Sequence, residues 1–134
     1  MKKIILSLFV LLAMLAGSCK KDKPLTLEQK IMGKWTWVSE DFFHTPADPA
    51  DYTYNLQSGA YWEFKADGTI TIFNGNESFP DNWHKVDGNS FYINQLGPNN
   101  PYKITAASAN QLIIQYQLME NGIPIITRET FSKP

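Results

Sequence analysis

The chain has 134 residues, 12 basic and 13 acidic side chains for a formal net charge of −1, and a single cysteine. That length accommodates one domain with a core of its own, and one cysteine rules out an internal disulfide, so the fold must be held by packing. Beyond residue 23 the balance is 7 basic against 12 acidic, an acidic surface that argues against nucleic acid and against an anionic membrane face as partners.

Met1-Lys2-Lys3 is a short basic start, residues 4–16 are an apolar run without a charge, and Ala16-Gly17-Ser18 places small residues directly before Cys19. The run is shorter than the roughly 20 residues a spanning helix needs. Residues 1–18 therefore read as a lipoprotein signal peptide. Similarity to such signals implies cleavage before Cys19, with a diacylglycerol on its sulfur and a third chain, palmitate-like, on its amine. An ordinary secretory signal with an incidental cysteine is the alternative. Two or more acyl chains give stable anchoring, at about 0.8 kcal/mol per buried methylene. Lys20 after the cysteine implies, by similarity to lipoprotein sorting, the outer membrane of a Gram-negative cell envelope, facing periplasm or cell surface. Residues 19–25 are the tether, and 26–134 the folded domain.

Thr26 and Gln29 have the spacing of a capping box, Leu27, Ile31 and Met32 share one face, and Gly33 is placed to stop a short helix. Eight strands follow, over 34–43, 60–65, 69–73, 82–86, 90–96, 102–107, 111–118 and 123–131. The connections alternate in length. Those at 66–68, 87–89 and 108–110 are tight turns, and those at 44–59, 74–81 and 97–101 are longer. In an up-and-down meander alternate connections lie at the same end, so the pattern describes a barrel with a closed base and an irregular mouth. Only 119–122 is short at the mouth.

Gly33-Lys34-Trp35, opening the first strand after a helical turn, resembles the Gly-x-Trp signature of lipocalins, and more closely the small lipocalin-like domains of Gram-negative lipoproteins. The fold implied is all-β, an antiparallel eight-stranded up-and-down lipocalin-like barrel with a short N-terminal helix. The resemblance also implies that Arg128, the one arginine, packs across Trp35 at the base as a cation-π contact, so that Gly33, Trp35 and Arg128 form the structural base.

Alternation directs Trp35, Trp37, Trp62, Phe64, Ile70, Ile72, Phe91, Ile93, Tyr102, Ile104, Leu112, Ile114, Tyr116 and Leu118 inward. In the last strand Ile123, Ile125 and Phe131 compete with Ile126 and Arg128, and a one-residue slip inverts the set. An eight-stranded barrel either fills with side chains or holds one small ligand. If it is open, Trp37, Trp62, Tyr102 and Tyr116 form an aromatic site near the mouth for a small apolar or amphipathic molecule. Trp83 belongs to that mouth or to the core. If it is filled, the domain is a scaffold or protein-interaction module of the envelope that uses the 44–59 loop, whose Asp51-Tyr52-Thr53-Tyr54 has the composition of recognition surfaces.

No catalytic elbow, phosphate-binding glycine loop or zinc helix is present, and the reading is non-enzymatic, with no cofactor. Glu40, Asp41, Asp48 and Asp51 flank His44 with irregular spacing and intervening prolines, which reads as a solvated lid loop and not as a metal site.

Overall fold

A computed structural model describes residues 23–44 and 50–133. The signal peptide, Cys19 and Asp48 lie outside them. One short helix, α1 (Leu27–Ile31), precedes nine strands: β1 (Gly33–Phe43), β2 (Tyr52–Asn55), β3 (Tyr61–Phe64), β4 (Thr69–Phe73), β5 (Ser78–Lys85), β6 (Ser90–Ile93), β7 (Tyr102–Ala107), β8 (Gln111–Glu120) and β9 (Ile123–Ser132). All neighbours are antiparallel, in the order β2-β1-β3-β4-β5-β6-β7-β8-β9. β9 pairs back onto β1, closing β1 and β3 to β9 into an eight-stranded up-and-down barrel.

The helix forms as its capping box requires. Thr26 Oγ1 accepts from the Gln29 amide, and Gln29 Oε1 accepts from the Thr26 amide at 2.9 Å. Leu27 and Ile31 are its buried face, turned into the bottom of the barrel. Gly33 follows at φ +97°, a left-handed conformation that lets the chain leave the helix and enter β1 at once.

Tight turns at one end hold the base. Asp67 Oδ1 accepts from the amide and hydroxyl of Thr69, and Asp87 Oδ1 accepts from the Asn89 amide, so these carboxylates fold their own turns. Those hydrogen bonds hold both carboxyls below their ordinary range. α1 is tied to the same end: Lys30 Nζ donates to the Gly88 carbonyl at 2.9 Å, and Lys85 meets Glu28 at 3.0 Å.

The largest departures from expectation lie at the mouth. Residues 44–59 are not all loop, since β2 lies within them and pairs Tyr52–Asn55 with Ser39–Phe42. β2 and β3 lie along the same edge of β1, where five residues, 56–60, stand opposite only Trp37 and Val38. The extra residues bow out of the sheet and rest on the β4–β5 turn. A Cβ on Gly75, which is at φ +103°, would lie 2.5 Å from Gln57 Cβ, so only glycine allows this approach. β5 begins at Ser78, four residues earlier than expected, because Ser78–Asn82 pair with β4 while Trp83–Lys85 pair with β6. β6 ends at Ile93, where the chain turns over the mouth.

A bulge at Val38 changes the face of β1. Trp37 pairs with Phe131, yet Ser39 pairs with Thr130, so Val38 has no partner on β9. Trp35 and Trp37 point inward before the bulge, and Glu40 and Phe42 after it. The register also resolves β9, whose Ile125, Thr127, Glu129 and Phe131 face inward while Ile126 and Arg128 face outward.

Candidate functional site

The two ends of the barrel are filled differently. At the base, Leu27, Ile31, Trp35, Phe64, Ile70, Trp83, Phe91 and Leu112 are buried in one continuous core. The Trp35 indole donates to the Ile31 carbonyl at 2.7 Å, and the Trp83 indole donates to the Lys65 carbonyl at 3.1 Å. Trp83 is therefore core at the base and takes no part in the mouth. Lys133 completes this end, with Nζ 4.1 Å from the centre of the Trp35 ring and bonded to the Met32 carbonyl at 3.1 Å.

That position was expected for Arg128, and the register explains the correction. Arg128 stands opposite Asp41, far along β1 from Trp35 and on the outer face, where its guanidinium lies 4.6 Å from the Phe43 ring centre. Continuing the β1–β9 ladder past Thr36 and Ser132 brings Lys133 opposite Trp35. The cation-π contact exists, but a lysine makes it.

Above the core, a cavity of about 260 Å³ opens at the mouth. Trp37, Trp62, Tyr102 and Tyr116 all line it, brought from β1, β3, β7 and β8. Trp37 meets Trp62 edge-on at 5.7 Å, Trp62 meets Tyr102 at 5.5 Å and Tyr102 meets Tyr116 at 4.7 Å. Ile72, Ile93 and Leu96 add apolar wall, and Phe79, Asn74 and Gln95 form part of the rim. Phe131 closes the floor, stacked 6.2 Å from Trp37.

Two further residues line it: Glu40, which the sequence reads as part of a solvated lid loop but which lies in β1, and Glu129, which no motif marks. They are direct partners across the β1–β9 ladder. Glu129 is 2% exposed, and its Oε2 has no hydrogen-bond partner. Burial, and secondarily the charge of Glu40, pushes the Glu129 carboxyl well above its ordinary range, and burial raises Glu40. Burial also raises both Tyr102 and Tyr116, with Glu129 adding to each shift. The indole nitrogens of Trp37 and Trp62 are likewise buried without a partner. The cup thus combines an aromatic wall with two unmatched donors and an unmatched acceptor, and no Lys, Arg or His lines it.

The remaining polar candidates lie elsewhere. His44 Nδ1 is 2.7 Å from Asp51 Oδ2 in an exposed pair, and Asp41 accepts from the Thr53 hydroxyl. Among the described residues no three His, Cys, Asp or Glu side chains converge to hold a metal ion. His84 stacks on Tyr92 and bonds Asn94 on the outside.

No family model matches the chain, and no curated protein matches it. Among solved structures it is similar to a bovine odorant-binding protein, a deswapped triple mutant, at 16% identity and a TM-score of 0.46, covering 78% of this chain and 74% of that one.

Proposed function

We propose that this chain is a lipid-anchored, lipocalin-like binding protein of the cell envelope whose cup holds a small apolar or amphipathic molecule without transforming it. The observation that carries the reading is a cup of about 260 Å³ at the mouth, lined by Trp37, Trp62, Tyr102 and Tyr116, above the buried side chains of the base, with Trp62 and Tyr102 part of the same buried cluster. That volume is just below the roughly 300 Å³ at which ligand pockets usually begin. A cavity of about 150 Å³ holds one benzene, so the cup has room for a ring and a short chain.

Cys19 is the proposed site of lipidation. It lies four residues before Lys23, where the described chain begins, a span of at most about 14 Å. Since α1 is bonded to the turns of the base, acylation of Cys19 turns the base toward the membrane and the mouth away from it. The test is metabolic labelling with palmitate, which a Cys19→Ser variant should abolish.

Binding is tested on the domain from Pro24 onward, following tryptophan fluorescence and melting temperature as cyclohexanol, 1-octanol or menthol, none of which emits in the tryptophan window, is added. Saturable quenching with a raised melting temperature, lost in a folded Trp62→Ala variant, is the expected result. No response to any of them would remove the cup reading.

A second reading draws on the rim. Tyr52 is 59% exposed and Met119 64%, Tyr54 and Ile123 are also exposed, and β2 has a free edge among the described residues. These features suit contact with an envelope protein through the 44–59 segment. Crosslinking from position 54 in intact cells tests it: one recurrent adduct favours a partner, and none removes it.

A further inference from the structure

Glu129 is hard to account for as a packing residue. A carboxylate left buried and unpaired destabilises the fold, and a glutamine of the same shape would fill the space without a charge. It also stands opposite a second carboxyl, Glu40, rather than a lysine or arginine. The groups facing it are Glu40 on β1, Tyr102 on β7 and Tyr116 on β8, none of them cationic at neutral pH. The positive charge that this end of the cup calls for is therefore not supplied by its own lining.

We propose that the occupant of the cup is a small ring-bearing amine, its protonated nitrogen donating to Glu129, with Glu40 as the second carboxylate and its ring among Trp37, Trp62, Tyr102 and Tyr116. This rests on the cup being a binding site and names the chemistry of its ligand. Three observations converge on it. The unpartnered Oε2 of Glu129 is an acceptor, and an ammonium supplies both the donor and the compensating charge. Aromatic faces favour a cation beside them. The unpartnered indole donors of Trp37 and Trp62 suit a hydroxyl or carbonyl on the same ligand. Fatty acids fit poorly, since their carboxylate would meet two others.

The test is a charge series on one ring, added to the full chain in a zwitterionic detergent: tyramine as cation, tyrosol as neutral alcohol and 4-hydroxyphenylacetate as anion. Tyramine should bind about tenfold or more tighter than tyrosol, and the anion weakest. Glu129→Gln should bring the ratio of tyramine to tyrosol affinity to about one, and Glu40→Gln should reduce that ratio in part. Calorimetry in buffers of different ionisation enthalpy should detect proton release as tyramine binds near neutral pH, because the cation draws the raised carboxyls into their ionised form. A merely structural Glu129 would give no such release. If tyrosol binds as well as tyramine, or Glu129→Gln leaves the ratio unchanged, the amine assignment is overturned and the cup stands. If none of the three binds at millimolar concentration, both fall.

Discussion

The four tryptophans of this barrel divide between its ends, and the division separates architecture from function. Trp35 and Trp83, at the base, are buried with their indole nitrogens bonded to backbone carbonyls. Trp37, half-buried, and Trp62, as buried as Trp35, line the cup, and their buried indole nitrogens have no partner. Buried polar groups are normally satisfied where the fold is their only concern, so the unsatisfied pair marks a surface completed by something else. The carboxyls follow the same rule. Asp67 and Asp87 are consumed by the turns at the base, while Glu129, lining the cup, keeps a buried Oε2 without a partner.

Truncating one tryptophan at each end should separate the two ends most clearly. Trp35→Ala should cost about 3–5 kcal/mol in chemical denaturation, because the ring is enclosed by the helix and the core. Trp37→Ala, at a half-buried wall beside an existing cavity, should cost clearly less while abolishing ligand-induced quenching. Equal costs would mean that the mouth is ordinary core.

Glu129→Gln should do the opposite of most core substitutions and stabilise the unliganded protein at pH 7, by about 1–3 kcal/mol. The sign follows from linkage. The carboxyl is raised in the folded state, so the wild-type protein holds its full stability below the unfolded value, about pH 4.3, and loses stability as pH rises from there through the folded value. The variant lacks that loss, so the two melting curves should converge near pH 4. A variant less stable than wild type at neutral pH would point to an unrecognised partner for Glu129.

Smaller effects sharpen the base. Lys133→Met should cost about 1 kcal/mol and alter the emission of Trp35, whereas Arg128→Met should leave that emission unchanged. Thr26→Ala should cost about 1 kcal/mol through loss of the helix cap, without any effect on binding.

Most of this architecture is legible in the residues. The alternation of Leu112, Ile114 and Tyr116, the turn signals at Asp67-Gly68 and Asp87-Gly88, and the long-short rhythm of the connections all follow from local chemistry, and the inward aromatic set follows from them. What is not legible depends on register. Alternation from Trp35 and Trp37 places Glu40 outside, and only the unpaired Val38 brings it in, an event with no glycine or proline to announce it. Glu129 shares the parity of Ile125 and Phe131 and was readable from them. The competing Ile126 obscured it by being buried on the outer face beside Phe43. The exchange of Arg128 for Lys133 has the same origin, because which cation reaches Trp35 is fixed by the pairing of β9 with β1. β2 escapes notice because all four of its residues are exposed, leaving no buried face to produce alternation.

The most direct test is the nitrogen–proton correlation spectrum of the four indoles during titration with tyramine and, separately, tyrosol. The Trp37 and Trp62 signals should move saturably with at least one of the two, while those of Trp35 and Trp83, already bonded to backbone carbonyls, stay fixed. If the base signals move instead, or no indole moves with either compound, the mouth of this barrel is not the binding site.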